Sequence, residues 1–192
     1  MRNLIILLVV ILCSSCAHVP AEIPDALPNQ AQAVVFDIDG TLTPRPSEFL
    51  EVRPDAAKAV HTFADKGYKI IYLSARYPLF EGGTVSWLKK HGFPDGFVRV
   101  GETAADVQNP AQFKTRILQD FLAHGWKVEF AYGDSSTDFD AYAAVKIPQK
   151  HVFALRREEE TLCQSGIWEK CLSGWTEHMD FITKTVQSAA AK

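Results

Sequence analysis

The residues of this chain with the clearest chemical potential are two aspartates one position apart, in Asp37-Ile38-Asp39-Gly40-Thr41. They directly follow the apolar run Ala33-Val34-Val35-Phe36, which predicts a short buried strand. Asp37 would then lie at the carboxyl end of a strand, where α/β sheets bind their ligands. One carboxylate of such a pair can attack phosphorus while the other transfers protons, and the glycine lets the chain turn away. The pattern favours a phosphate-handling active site over its alternative, a solvated Asp-x-Asp-Gly turn.

Two further positions are suited to holding a phosphoryl group during its transfer. Ser74 ends a second apolar run, and its hydroxyl and the backbone N–H of Ala75 can donate to a phosphoryl oxygen. Lys114 lies in a predicted helix, where its ammonium can neutralise the phosphoryl group and nearby carboxylates. Each has an ordinary alternative when taken singly, namely a strand-end serine and a solvent-exposed helical lysine.

A third group of polar residues, Gly133-Asp134-Ser135-Ser136-Thr137-Asp138, follows the apolar run over residues 128–132. Asp134 would face the first carboxylates across the edge of the sheet. Oxygen ligands from Asp37, Asp134 and a backbone carbonyl, completed by water and substrate, are the set that Mg²⁺ prefers. Asp138 or Thr137 also has a purely structural interpretation as the N-cap of the next helix.

The elements that must position these residues alternate regularly along the chain. Apolar runs predict strands over residues 34–37, 69–74, 96–100, 128–132 and 151–154. Apolar residues at helical spacing predict helices over 54–66, 83–91, 110–124 and 137–145. This alternation is typical of right-handed crossovers. It predicts a Rossmann-like α/β fold with a mainly parallel sheet and helices on both faces.

The composition limits the size of the domain and its partners. The chain has 192 residues with 47% hydrophobic content, which is enough for one compact domain. A formal net charge of -3 gives no sign of a nucleic-acid partner. Predicted elements fill the intervals from Asp39 to Ser74 and from Ser74 to Lys114, so no large lid domain fits. An open site suits a phosphate on a bulky or surface-bound molecule.

Residues 1–16 have the features of an export signal, with Arg2 before an apolar run over 4–12 and small residues leading to Cys16. The arrangement resembles a bacterial lipoprotein signal, which implies that Cys16 is lipidated. That resemblance predicts a protein anchored to a membrane on the periplasmic side of a bacterial cell envelope, with a soluble secreted or periplasmic form as the alternative. Residues 17–32 contain several prolines and are predicted to form an extended tether.

The core is predicted over residues 33–157, and residues 158–192 are expected to form a small helical appendage. With Cys13 removed and Cys16 lipidated, Cys163 and Cys171 would be the free thiols left, and we expect them to pair in a compartment that permits disulfides. A metal site and two reduced cysteines are the alternatives. The pattern around Trp168 and Trp175 does not distinguish contact with a membrane from packing.

Taken together, the motifs resemble those of the haloacid dehalogenase (HAD) superfamily of phosphatases over about residues 34–155. They occur in the family's order as Asp37-x-Asp39-Gly40-Thr41, Ser74, Lys114, and Gly133-Asp134 with Asp138. The resemblance implies that Asp37 is the nucleophile that forms an aspartyl-phosphate and that Asp39 is the general acid and base. It further implies two sets of binding residues: for the phosphoryl group Gly40, Thr41, Ser74, Ala75 and Lys114; for Mg²⁺ Asp37, Asp39, Asp134 and Asp138.

A narrower likeness is to the catalytic domain of lipin-type phosphatidate phosphatases and to the C-terminal domain of large phosphatidylinositol transfer proteins. It is carried by Val52-Arg53-Pro54, Tyr72-Leu73-Ser74-Ala75-Arg76, Trp87-Leu88, Gly92-Phe93-Pro94 and Phe113-Lys114. The likeness implies hydrolysis of a lipid phosphate such as phosphatidate beside a membrane. The alternatives are a broad-specificity envelope phosphatase for soluble phosphomonoesters and a lipid-phosphate binding module without turnover. The presence of both Asp37 and Asp39 favours an enzyme.

Overall fold

The apolar runs form the strands of a single sheet. A computed structural model describes residues 22–189, and its strands are β1 (Gln32–Asp37), β2 (Lys69–Ser74), β3 (Phe97–Val100), β4 (Lys127–Gly133), β5 (Val152–Leu155) and β6 (Lys170–Leu172). The strand order is β3-β2-β1-β4-β5-β6, and every neighbouring pair is parallel. The predicted Rossmann-like α/β fold is therefore confirmed.

The helices lie between these strands, within two residues of their predicted bounds. They are α1 (Ala56–Asp65), α2 (Glu81–Lys90), α3 (Ala104–Gln108), α4 (Pro110–Ala123) and α5 (Ser136–Ala144). Helix α3 was not predicted, because five residues are too few to show an apolar period. Its first turn is stabilised by a capping box between Thr103 and Asp106.

Alternation along β1 divides the core into two layers. Val34 and Phe36 pack on the face that α1 covers, whereas Ala33 and Val35 pack on the face that α4 and α5 cover. Asp37 has the same parity as Val35, so its side chain lies on the α4 face of the sheet. This register brings the first carboxylate to the helix that carries the predicted lysine.

The C-terminal segment belongs to the same sheet and core and does not form a separate helical appendage. It supplies strand β6, which pairs with β5, and it buries Trp175 completely. The Trp175 indole packs 4.9 Å from the Tyr132 ring and donates to the Thr41 carbonyl at 3.0 Å. Trp168 is partly buried and donates to the Gln164 carbonyl at 3.1 Å. Both tryptophans therefore pack within the fold.

The predicted pairing of Cys163 with Cys171 is confirmed, since the structure contains this disulfide. It joins the loop before β6 to the middle of that strand. The segment that it closes follows Arg157, which lies at the carboxyl end of β5. The loop that it closes packs beside the start of β5, where the Glu169 N–H donates to the Val152 carbonyl at 2.8 Å and the Gln149 side chain donates to the Trp168 carbonyl at 3.1 Å.

The described part of the predicted tether packs against the domain. Ile23 is buried, the Pro24 carbonyl accepts from the Trp126 indole at 2.8 Å, and the Ala26 N–H donates to the His124 carbonyl at 2.8 Å. The proline-rich composition predicted an extended segment because the apolar residues in it show no helix or strand periodicity. A few isolated apolar residues nevertheless suffice to hold this segment against the domain. The predicted signal over 1–16, with Cys16, lies outside the described residues. Within residues 22–189, no helix combines the length and apolarity needed to cross a membrane.

Candidate active site

The loop after β1 places the first carboxylate at a buried position on the α4 face. Asp37 is 3% exposed, and Lys114 on α4 donates to its Oδ1 at 2.5 Å. The Thr41 hydroxyl donates to Oδ2 at 3.0 Å. Both oxygens of Asp37 are thus oriented by a donor, which is the arrangement that a positioned nucleophile requires.

Lys114 is the cation shared by two carboxylates. It is 3% exposed and also donates to Oδ1 of Asp138, so the solvent-exposed alternative for this lysine does not apply. Burial alone would lower its pKa, but Asp138 and Asp37 together raise it above its ordinary value. The lysine therefore stays charged in the folded protein.

Three buried carboxylates converge here, those of Asp37, Asp134 and Asp138, with one oxygen of each within 4.8 Å of the others. Burial raises the pKa of Asp37 well above its usual range, despite the opposing effect of Lys114. Burial and the neighbouring Asp138 raise the pKa of Asp134 to about 7. The cluster is short of positive charge, and its oxygen donors are the chemistry that Mg²⁺ prefers. These residues fit a divalent cation.

Asp138 combines this position with a structural role. Its Oδ2 accepts from the backbone N–H groups of Asp134 at 3.1 Å and Ser135 at 3.0 Å. Ser135 is the N-cap of α5, and Asp138 is its partner in a capping box. The interpretation of Asp138 or Thr137 as the N-cap is therefore corrected to Ser135, because the helix begins one residue earlier than predicted.

Two glycines make room for the carboxylates. Gly40 has φ +85, and a Cβ there would lie 2.1 Å from Oδ2 of Asp134. A Cβ at Gly133 would lie 2.6 Å from the Cβ of Asp138. The Gly40 N–H already donates to the Thr43 hydroxyl at 2.8 Å. The structure thus gives Gly40 a steric role toward Asp134, and phosphate binding by Gly40 and Thr41 stays a prediction.

The second carboxylate of the opening motif lies on the β2 side of the same cavity. The Ser74 hydroxyl donates to Oδ2 of Asp39 at 2.7 Å. Arg76 donates to both oxygens of Asp39, through Nε at 2.9 Å and through a terminal nitrogen at 2.6 Å. Sequence reasoning assigned no role to Arg76, although its place two residues after the carboxyl end of β2 was a usable signal.

Two more arginines of the site were missed. Arg157 donates through Nε to Oδ2 of Asp134. Arg53 is 3% exposed and donates to the Gly40 carbonyl at 2.8 Å and to the Arg156 carbonyl at 2.7 Å. Arg157 supplies a second cation to the carboxylate cluster, and Arg53 ties the loop after β1 to the end of β5. Arg157 could have been found because it lies two residues after the carboxyl end of β5, a strand that was predicted.

These groups line a cavity of about 460 Å³ at the carboxyl edge of the sheet. Its charged wall is formed by Asp37, Asp39, Arg76, Lys114, Asp134 and Arg157. Its apolar wall is formed by Pro46, Phe49, Phe80, Val107 and Pro110. Of the predicted phosphate-binding residues, Ala75 and Lys114 line the cavity. Ser74 lies behind it, bonded to Asp39.

Comparison with known sequences identifies proteins that are related to this chain. The model of the LNS2 domain of PITM 1-3 matches residues 34–156. Membrane-associated phosphatidylinositol transfer protein 3 from Homo sapiens is 31% identical over 145 residues, which cover 72% of this chain and 15% of the relative. Protein retinal degeneration B from Drosophila melanogaster is 30% identical, with 66% of this chain and 10% of that protein covered. The chain therefore spans a small part of these relatives' length.

Solved structures show the same fold at low sequence identity. A Mesorhizobium loti protein assigned as a HAD-like phosphatase superposes with a TM-score of 0.57 at 15% identity, and 89% of this chain and 97% of that chain are covered. A chain of the Pnkp1/Rnl/Hen1 RNA repair complex gives a TM-score of 0.57 at 20% identity, covering 71% of this chain and 46% of that one. These likenesses support the HAD-like fold.

The cellular location predicted from the leader-like residues is wrong on this comparison. The relatives are human, mouse and fruit fly proteins, among them membrane-associated phosphatidylinositol transfer proteins, and they are not bacterial envelope proteins. The prediction depended on an apolar run followed by small residues, and such a composition does not identify the compartment in which a chain works.

Proposed function

The chain belongs to the family of LNS2 domains of PITM 1-3 and has a HAD-like phosphatase fold, and from this premise we propose that it hydrolyses phosphomonoesters through a phospho-Asp37 intermediate. The observation that carries the proposal is the pairing of Asp37 with Lys114 at 2.5 Å inside a cavity that Asp39 also lines. A buried carboxylate oriented by an ammonium is suited to attack at phosphorus.

In the first step an oxygen of Asp37 forms a bond to phosphorus, and the bond from phosphorus to the ester oxygen breaks. Asp39 donates a proton to the departing alkoxide. In the second step Asp39 accepts a proton from water, whose oxygen bonds to phosphorus and releases phosphate from Asp37. Lys114 and Arg76 lie on the same wall, where their positive charges stabilise the equatorial phosphoryl oxygens.

Asp39 must leave its resting contacts to take part in this proton transfer. In the structure its oxygens accept from Ser74 and Arg76. A substrate phosphoryl group would compete for the guanidinium of Arg76 and so release the carboxylate. The ion pair therefore holds Asp39 at the edge of the cavity until an anion arrives.

We propose that Mg²⁺ is the cofactor, held by Asp37 and Asp134 and by the backbone carbonyl of Asp39, with Asp138 supporting the site. When bound, the ion would supply positive charge to the phosphoryl group and to the carboxylates. The support for this proposal is the convergence of the Asp37, Asp134 and Asp138 carboxylates, one oxygen of each within 4.8 Å of the others, at a buried site that needs positive charge. Arg157 supplies part of that charge in the structure.

We propose a lipid phosphate such as phosphatidate as the substrate. The cavity joins a charged wall to an apolar wall that includes Phe49 and Phe80, so it is complementary to a phosphomonoester on an apolar body. Family membership supports the same class, since the named relatives are membrane-associated phosphatidylinositol transfer proteins. A soluble phosphomonoester is the enzymatic alternative.

The test is phosphate release from phosphatidate vesicles and from soluble phosphomonoesters, with Mg²⁺ or with EDTA. We expect Mg²⁺-dependent release mainly from vesicles, and loss of release in Asp37→Asn, which preserves shape and removes the nucleophile. A matched control is Asp55→Asn, at a partly buried aspartate that accepts a hydrogen bond from the Thr176 hydroxyl and does not line the cavity. Release that persists in Asp37→Asn would refute the covalent mechanism, and release only from soluble esters would refute the lipid substrate.

One observation favours a second candidate, a lipid-phosphate binding module without turnover. Arg157 already donates to Oδ2 of Asp134, so the cluster has a protein cation where an enzyme would use a metal. The related proteins are also named for lipid transfer. A binding module would retain vesicle affinity in Asp37→Asn and release no phosphate in any condition. An enzyme would show turnover that this substitution removes.

A further inference from the structure

Four large apolar side chains beside the mouth of the cavity are exposed to solvent. They are Phe49, Leu50, Leu79 and Phe80, which are 50%, 65%, 88% and 53% exposed, and we call this group the apolar rim. Phe49 and Phe80 also line the cavity itself. The rim is therefore continuous with the apolar wall that leads to the charged wall.

Two chain segments that are distant in sequence are held together at the rim. Phe49 and Leu50 lie in the loop before α1, while Leu79 and Phe80 lie in the 3₁₀ turn Pro78–Phe80 that precedes α2. The Trp87 indole donates to the Leu50 carbonyl at 3.0 Å, and the Arg76 guanidinium lies 5.9 Å from the centre of the Phe49 ring. These contacts hold the loop against the second half of α2 and against the segment between β2 and α2, so both parts of the rim are anchored to the domain.

We propose that the apolar rim inserts into the surface of a lipid bilayer and presents the cavity to phosphomonoester head groups there, a proposal that rests on the lipid substrate of the proposed function. The cavity is complementary to such a lipid at both of its ends. Its charged wall includes Lys114 and Arg76, which can bind an anion. Its mouth exposes the apolar side chains of the rim, which water solvates poorly. A molecule that satisfies both has a phosphate on an apolar body and lies with that phosphate at a bilayer surface.

The charge beside the rim is consistent with insertion as the main contribution to binding. Arg45 in the same loop is paired with Glu48 and Glu159, so its charge is neutralised locally. The whole chain has a net charge of -3, which gives no general attraction to an anionic surface. We therefore expect membrane binding to respond to apolar substitutions at the rim and to depend weakly on ionic strength.

The experiment uses the full chain and two single-tryptophan additions, Leu79→Trp at the rim and Leu27→Trp as the matched control. Leu27 is 58% exposed and precedes β1, at the opposite end of the sheet from the cavity. Each variant is mixed with phosphatidylcholine vesicles with and without phosphatidate, in which part of the lipid is brominated. We expect the added fluorescence at position 79 to be quenched and that at position 27 to be unaffected. Equal quenching at both, or none at position 79, would overturn the proposal.

Turnover provides a second readout that separates the rim from the chemistry. Leu50→Gln with Leu79→Gln should lower phosphate release from phosphatidate vesicles by about tenfold or more, since each leucine loses its apolar insertion. Release from a soluble phosphomonoester should be unchanged, and Leu27→Gln should match the parent chain on both. An equal loss on vesicles and soluble ester would overturn the proposal. If the parent chain releases no phosphate at all, the proposed hydrolysis fails while the quenching result still decides the rim.

Discussion

The close approach of Gly40 to Asp134 makes Gly40→Ala a sharp test of the site. The new Cβ would lie 2.1 Å from Oδ2 and 2.6 Å from the carboxyl carbon of Asp134, so this side chain must move. The backbone at Gly40 has φ +85, and a non-glycine residue there costs about 1–2 kcal/mol. We expect that loss of stability and, in addition, a displaced carboxylate.

The matched control is Gly92→Ala, because Gly92 also has positive φ, +71, but a Cβ there meets nothing within 4 Å. In urea unfolding without metal, Gly92→Ala should lose about 1–2 kcal/mol, and Gly40→Ala should lose at least as much because the Asp134 side chain must also move. Saturating Mg²⁺ should then stabilise the parent chain and Gly92→Ala by about 2–3 kcal/mol and Gly40→Ala by far less. Phosphate release should fall about a hundredfold in Gly40→Ala alone, as expected when a group at the site is displaced by about 1 Å.

The outcome that would refute this reasoning is equal behaviour of the two variants. If Gly40→Ala keeps the Mg²⁺ stabilisation and the turnover of Gly92→Ala, then Asp134 has no part in binding the metal. A loss of stability far beyond 2 kcal/mol without metal would instead show that the overlap unfolds the loop. The effect of Mg²⁺ on stability would then be compared between the parent chain and Asp134→Asn.

Three further predictions concern single side chains. Lys114→Met should destabilise the protein by about 3–5 kcal/mol in chemical denaturation, since Asp37 and Asp138 would lose the cation between them; a loss below 1 kcal/mol would contradict the buried pairing. Burial lowers the pKa of His178 from 6.5 to about 4, so stability present above pH 6.5 should decrease by about 3 kcal/mol as the pH falls to 4. His178→Phe should lack this decrease between pH 6.5 and 4, and an identical pH profile would exclude His178 as its source. Arg76→Ala should raise KM for phosphomonoesters by about tenfold, and an unchanged KM would exclude its contact with the phosphoryl group.

Much of the candidate site could be predicted because parallel strands share one carboxyl edge. Asp37, Ser74 and Asp134 each follow an apolar run, and the sheet order brings those three strand ends side by side. Strand parity then sends Asp37 toward the helix that carries Lys114. Local patterns and one topological rule were sufficient for this part of the geometry.

The rest depended on contacts that no local pattern records. Trp175 reaches the Thr41 carbonyl across 134 positions of sequence, and Arg53 reaches the Arg156 carbonyl across 103. Strand β6 has three residues, Lys170–Leu172, which are too few to show alternation. Such features form only when the sheet is assembled, because their partners come from the other end of the chain. The same reason explains why the C-terminal segment was predicted as an appendage.

The central claim is covalent transfer of the phosphoryl group to Asp37, and acid-quenched mass spectrometry of the full chain during turnover tests it most directly. We expect one phosphoryl group on the peptide that contains Asp37, formed with phosphatidate vesicles and Mg²⁺ and absent in Asp37→Asn. Turnover that proceeds without phosphorylation of that peptide, or phosphorylation that persists in Asp37→Asn, would contradict it.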